Sequence, residues 1–295
     1  MTLPAAPLSS EPRSRSTGPH ARAARPHNFD IGLFILRTAA LLVLGTWGWM
    51  KFHSLINMVH SGRPLANSGF VRLVRQLGFP FPRFMAISAI INESVVAALL
   101  FLGIVTRPAA VIGALGMAGA WYSSIRLGEE PLRAALCTLI FATLAFTGAG
   151  RFSADQVLWR KHSIPAWCDD FGLFVLRVGV AIASIALAIA PTAKDPNLLA
   201  FVPAAHWPLV LACSGAVIVA FGMITRAAAG TLSIFWLCAV LAGLQNGSSW
   251  NMSPIRAALF AAVFGALAFT GPGRISITAI HKGRMQAAEI QPELN

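Results

Sequence analysis

One segment of the chain occurs twice, and this repetition constrains the fold more than any other feature. Residues 131–153 read PLRAALCTLIFATLAFTGAGRFS and residues 254–276 read PIRAALFAAVFGALAFTGPGRIS, with 14 of 23 positions identical and no gap. Each copy begins with proline and arginine, continues as an apolar run of membrane-spanning length and ends in glycine and arginine. The sequence therefore predicts an internally duplicated bundle of membrane helices.

The composition excludes an ordinary soluble domain. Apolar side chains make up 56% of the chain and charged ones 12%, whereas soluble domains carry about 25% charged residues. The net charge of +12 does not indicate a nucleic-acid partner, because the basic residues flank apolar runs, where they anchor helices. The four cysteines share no C-x-x-C spacing and three lie in apolar runs, so they are interpreted as small core residues, and no metal centre is predicted.

Eight apolar runs are long enough to be membrane helices, at about 20 residues per span. They cover residues 31–51, 84–103, 108–126, 131–147, 171–190, 208–224, 227–244 and 254–270. GLFILR at 32–37 recurs as GLFVLR at 172–177, and Thr106–Arg107 recurs as Thr225–Arg226. The predicted fold is therefore all-α, a polytopic membrane protein with eight transmembrane helices in two parallel four-helix repeats.

The predicted organisation has five parts. They are a disordered basic tail (1–28), a first four-helix repeat (29–156), a linker (157–170), a second, degenerate repeat (171–276) and a C-terminal tail (277–295). The N-terminal tail is rich in arginine and serine and poor in acids, which is also typical of a transit peptide, but a cytoplasmic tail is favoured. Residues 52–83 form a long polar loop, with an amphipathic helix predicted around 70–77.

The distribution of lysine and arginine predicts the orientation. With a cytoplasmic N-terminus, the inner segments carry 14 of the 23 basic residues, counting Arg37 and Arg177 at span entrances. We therefore expect a multi-pass protein of the bacterial inner membrane with both termini in the cytoplasm.

The order of short motifs in the first half resembles a known family. The motifs are Leu36–Arg37, a glycine-containing span that ends at Lys51, LGFPFP at 77–82, Glu93, GIVTR at 103–107 and GAGRFSAD at 148–155. This order is similar to the DoxX family of small four-helix membrane proteins, over about residues 30–156 and more loosely over 171–276. The resemblance implies sulfur or thiol redox chemistry at a membrane, with quinone as cofactor and a redox subunit as partner.

Glu93 is the most informative single residue. It is the only one of eleven acids near the middle of a predicted span, where an ionised group costs about 3 kcal/mol. It should therefore face the interior of the bundle. Two roles are open: a proton acceptor or hydrogen-bond partner for a quinone headgroup or polar substrate, or a structural hydrogen bond to Asn92 or a threonine.

Further candidates lie near the outer end of the first span. Lys51 is predicted to extend to the lipid headgroups, a role favoured over a site role, and a shared cavity with Glu93 is favoured over a direct pair. His53 and His60 are seven residues apart and are interpreted as surface residues beside that cavity rather than metal ligands. The candidate catalytic residues are Glu93 and Lys51, and the candidate ligand-binding residues are Asn92, His53 and Trp47.

Arg107, Arg151 and Asp155 are predicted at the inner face. Arg107 should anchor a turn, as its counterpart Arg226 does. Arg151 and Asp155 are four residues apart after Gly150, so a helical turn would pair them as a structural clasp. A surface that docks a cytoplasmic partner is the alternative for these three residues.

Gly113, Gly116 and Gly119 recur at a three-residue step in the third predicted span. Small residues allow membrane helices to approach each other closely. We therefore expect this face of the span to pack against a neighbouring helix.

The two halves differ at the charged positions. Lys51, Glu93 and Asp155 correspond to Pro191, Ala212 and Thr278. The residues that build helices thus occur in both halves, whereas the polar residues that are costly in a membrane occur once. We predict one site, in the first half, with the second half as structural support.

Three classes of function remain open. The first is a quinone-linked redox component of sulfur or thiol metabolism or oxidative-stress defence. The alternative is a non-enzymatic scaffold that recruits a redox enzyme, and a small-solute carrier is less favoured. The sequence shows neither a nucleotide-binding loop nor a nucleophile–base arrangement that would indicate a self-contained enzyme.

Overall fold

The computed structural model describes residues 27–62, 64, 68–129, 131–158, 165–189, 207–246 and 254–280, and these contain helices and turns but no strand. The helices of the first half are α1 (His27–His60), α2 (Gly69–Gln76), α3 (Pro82–Ile91), a π-helical segment (Asn92–Val96), α4 (Ala97–Leu102), α5 (Thr106–Leu127), α6 (Leu132–Thr147) and α7 (Ala154–Leu158). Those of the second half are α8 (Ala166–Ile189), α9 (Trp207–Phe221), α10 (Thr225–Asn246) and α11 (Pro254–Thr270). The predicted N-terminal tail up to residue 26, most of the C-terminal tail and Pro191 lie outside the described residues.

The chain is a helical membrane protein. Four described helices are long and apolar enough to span a bilayer, namely His27–His60, Pro82–Leu102, Trp167–Leu187 and Thr225–Ala242. Three shorter apolar helices accompany them, over Leu132–Thr147, Val210–Phe221 and Pro254–Thr270. Many large apolar side chains point outward, as lipid contact requires.

Two helices differ from simple spans. α1 runs to His60 and is thus longer than the predicted span 31–51. α2 matches the predicted amphipathic helix: Val71 and Val74 are buried, whereas Arg72 and Arg75 are exposed. The buried side of α2 packs with Ala86 of α3 as a small cluster apart from the main core.

The two halves contact each other through α1 with α11 and through α6 with α8. A glycine allows close approach in each contact. A Cβ on Gly32 would lie 2.5 Å from Cγ2 of Thr270, and one on Gly172 would lie 2.7 Å from Cγ2 of Thr147. The same residue types therefore meet at the two contacts.

Polar groups connect the first turns of α1 and α8 to the chain segments that follow α6 and α11. The carboxylate of Asp30 accepts a hydrogen bond from the backbone N–H of Arg151 at 2.9 Å. The carboxylate of Asp170 likewise accepts from the backbone N–H of Arg274 at 2.8 Å. The guanidinium groups of two buried arginines donate to backbone carbonyls, Arg37 to Phe152 and Arg177 to Ile275. Both arginines, which were counted at span entrances for the orientation, are enclosed by protein and hydrogen-bonded there.

The predicted clasp between Arg151 and Asp155 is also wrong. The carboxylate of Asp155 accepts from the backbone N–H groups of Val105 and Thr106, at 2.7 and 2.8 Å, and so caps the start of α5. Gly150 has a φ of +75°, which turns the chain before α7, so Arg151 does not share a helix with Asp155. Arg151 instead approaches the buried aspartate of α1, with Nε 3.6 Å from Oδ2.

Candidate functional site

A cavity of about 630 Å³ lies in the first half. Its walls come from α1, α2, α3, the π-helical segment, α5 and α6, and most of the lining side chains are apolar. Ligand pockets typically enclose about 300–1,000 Å³ with mostly apolar walls and a few polar groups. The cavity therefore has the size and the chemistry of a site for one small molecule.

Lys51 and Glu93 form an ion pair in this cavity. Nζ of Lys51 lies 2.6 Å from Oε1 of Glu93, and the side chains are 26% and 9% exposed. The sequence favoured a shared cavity without a direct pair, because Lys51 was placed at the end of its span. In the structure α1 continues to His60, so Lys51 lies within the helix and points inward, with Nζ 4.6 Å from the ring centre of Phe70.

The π-helical segment presents unpaired polar atoms to the same cavity. Asn92 and Glu93 are 5% and 7% exposed. Both amide atoms of Asn92 and Oε2 of Glu93 lack a hydrogen-bond partner among the described residues. Such π-helical turns inside α-helices are frequent at functional sites, and buried unpaired polar atoms are costly unless a ligand or water satisfies them.

Two glycines hold this segment against its neighbours. A Cβ on Gly48 of α1 would lie 2.7 Å from the backbone carbon of Glu93. A Cβ on Gly116 of α5 would overlap Nδ2 of Asn92. Both flanking helices thus touch the segment where only glycine fits, which fixes the positions of Glu93 and Asn92.

Arg133 is a lining residue that the sequence reasoning missed. Its guanidinium carbon lies 4.2 Å from the ring centre of Trp47, and both side chains line the cavity. Arg133 was interpreted only as part of the repeated helix start. Arg133 lies four residues before Cys137, which also lines the cavity. Residues at this spacing share one face of a helix, and this was the sequence signal that could have identified Arg133.

His53 does not line the cavity. It is exposed, and Nδ1 lies 3.1 Å from Nδ2 of Asn57. Trp47 and Lys51 are four residues apart and share the side of α1 that faces the cavity. His53 lies two residues after Lys51, which rotates it about 200° around the helix axis from Lys51. The prediction that His53 contributes to ligand binding is not supported by its position.

The inner-face candidates do not come together with this cavity. The guanidinium of Arg107 donates to the carbonyl of Phe146 and so ties α5 to α6. Arg151 is half exposed and Asp155 caps α5. Partner docking by these three residues stays a prediction.

No metal centre is formed by the part of the chain that the structure describes, since it brings no three His, Cys, Asp or Glu side chains together. The cysteines are unpaired, and Cys137 and Cys168 are buried.

In a comparison with protein-family models, residues 32–125 match the DoxX family. The chain carries a DoxX domain. The DoxX domain includes Trp47, Lys51, Asn92 and Glu93, whereas Arg133 lies beyond the matched residues. No match to this chain was found among curated proteins or solved structures. The tandem arrangement of two DoxX-like repeats stays a prediction.

Proposed function

We propose that this DoxX-domain protein binds a quinone in the cavity of its first half, as a component of a membrane redox system that handles a sulfur or thiol donor. The observation that supports this most directly is the Lys51–Glu93 ion pair beside the unpaired amide of Asn92, within an apolar cavity. A quinone has an apolar ring and two carbonyl acceptors. The walls and the polar groups of this cavity match those two properties.

The unpaired polar atoms of the cavity are suited to a quinone headgroup. The amide N–H groups of Asn92 have no partner among the described residues and can donate to a quinone carbonyl. Lys51 has further N–H groups to donate beside its bond to Glu93. When bound, a quinone supplies the capacity to accept electrons and protons. The ionised Glu93 holds Lys51 in position through Oε1, and its unpaired Oε2 would accept a hydrogen bond from a hydroxyl of the reduced quinol. The ion pair thus has a positioning and proton-transfer role.

The membrane architecture is part of the proposal. We propose eight spans in two parallel repeats, in a bacterial inner membrane, with both termini cytoplasmic. The matched contacts of α1 with α11 and of α6 with α8 support a twofold arrangement. Reporter fusions after residues 65 and 160 are expected to show opposite sides, with 65 outside and 160 inside. A cytoplasmic reporter at residue 65 would contradict the orientation.

Glu93→Gln is expected to weaken quinone binding by about tenfold or more. It removes the carboxylate that holds Lys51 beside the headgroup, and a hydrogen bond from a charged donor contributes about 1.5–3 kcal/mol. Binding is measured per folded molecule on protein in lipid nanodiscs. Ala212→Gln, at the corresponding position of the second half, is the comparison and should leave binding unchanged. Equal effects of the two substitutions would remove the single-site proposal. A stable protein partner without quinone binding would favour the scaffold alternative.

A further inference from the structure

One side of α5 lines the cavity along most of the helix. The lining positions are Ile112, Leu115, Gly116, Met117, Gly119, Ala120, Ser123, Ser124 and Leu127. From Ile112 to Leu127 this side extends about 22 Å at 1.5 Å per residue. The cavity is therefore elongated along α5, which suits an elongated ligand.

The three glycines of α5 do not share one role. A Cβ on Gly113 would lie 2.9 Å from Phe141 and one on Gly116 would overlap Asn92, so these two glycines permit close packing as predicted. A Cβ on Gly119 would have no atom within 4 Å. The expectation that Gly119 packs against a helix is wrong, because this glycine borders the open cavity.

The second half is filled at the corresponding positions. In the register set by Thr106–Arg107 and Thr225–Arg226, Met117 corresponds to Trp236 of α10. In the register of the repeated segment, Cys137 corresponds to Phe260 of α11. Trp236 and Phe260 are fully buried and stack with ring centres 4.7 Å apart. Smaller side chains therefore keep space in the first half where two aromatic rings occupy it in the second.

Part of the apolar cavity lining on α5 is also exposed on the outer surface of the bundle. Ile112 and Leu115 line it and yet are 55% and 70% exposed. Ser88 and Ala89, two small residues, line it from α3. Apolar side chains on the outer surface of a membrane helix face acyl chains, so this side of the cavity adjoins the bilayer.

We infer that the ligand is a membrane amphiphile whose headgroup lies between Glu93, Asn92 and Gly119 and whose hydrocarbon chain passes beside Leu115 into the lipid. The inference rests on the proposed quinone site and adds the ligand's chain and its path. The polar atoms at the inner end of the cavity and the apolar residues on its bilayer side determine this orientation, because a headgroup needs the former and a chain the latter.

The experiment compares tetramethylbenzoquinone, which has no chain, with its decyl counterpart, in which a decyl group replaces one methyl. Binding of both is measured on the full-length protein in lipid nanodiscs. Leu115→Trp narrows the cavity on its bilayer side and is expected to weaken binding of the decyl quinone about tenfold, while binding of the chainless quinone stays unchanged. Ile234→Trp, at the corresponding exposed position of α10, is the matched control and should change neither.

A second variant separates the path of the chain from the site itself. Gly119→Leu fills the headgroup space and is expected to weaken both quinones alike, whereas Cys238→Leu, its counterpart in the second half, should weaken neither. If Leu115→Trp affects both quinones equally, or neither, the inferred path of the chain is overturned and the quinone site stands. If the unaltered protein binds neither quinone, the proposed function and the inference are both overturned.

Discussion

Replacing Lys51 by methionine is expected to lower the free energy of unfolding by about 3 kcal/mol, because it leaves the carboxylate of Glu93 buried without its partner. The two groups are 2.6 Å apart and Glu93 is 9% exposed on its side chain. Unfolding is measured for each variant in detergent micelles by denaturant titration. Lys51→Arg, which keeps the charge, is expected to cost less.

A double-mutant cycle distinguishes the pair from its two side chains. Removing both charges with Lys51→Met and Glu93→Gln together should restore most of the stability lost by Lys51→Met alone, since no uncompensated charge remains. If the effects of the two single substitutions simply add, the ion pair does not contribute as a unit. That result would contradict the interpretation of the pair as a coupled element of the site.

Gly48→Ala is expected to destabilise the fold by about 1–3 kcal/mol through overpacking. Its Cβ would lie 2.6 Å from Oγ of Ser94 and 2.8 Å from the carbonyl oxygen of Glu93. Backbone atoms cannot move aside as a flexible side chain does, so α1 must shift away from the π-helical segment. Quinone binding should fall as well, because this shift separates Lys51 from Glu93.

Gly45→Ala, three residues earlier on α1, is the matched control. Its Cβ would lie 3.4 Å from Cδ1 of Leu41, an ordinary contact. The substitution should be neutral or stabilise the helix by about 0.5–1 kcal/mol, since alanine loses less backbone entropy than glycine. Equal melting temperatures for Gly45→Ala and Gly48→Ala would contradict the close contact between α1 and the π-helical segment.

The class of fold was accessible from the sequence because it depends on composition and periodicity. Apolar runs of membrane-spanning length predict helices wherever they occur, and the energetic cost of a carboxylate in lipid predicts that Glu93 faces inward. The amphipathic pattern around residues 70–77 likewise predicted α2. These inferences need only one helix at a time.

The contacts of the site could not be predicted from one helix at a time, because they depend on which helices are neighbours. The Lys51–Glu93 pair depends on α1 continuing past the apolar run, which composition does not indicate. Arg133 was missed because an arginine at the start of a span is usually an anchor, and its contact with Trp47 requires knowing that α1 and α6 are neighbours. The role of Gly119 differs from that of Gly116 only through what faces each of them.

The buried guanidinium of Arg37 has a consequence for biogenesis. Its acceptor, the carbonyl of Phe152, lies 115 residues later in the chain. At about 5–20 residues per second, the ribosome therefore synthesises Phe152 many seconds after Arg37. Until then Arg37 has no such acceptor, and an unpartnered arginine costs up to about 3 kcal/mol on insertion scales, the value at the centre of a span. α1 is therefore a poor stand-alone anchor, and its integration is completed only when the polypeptide beyond α6 has been translated.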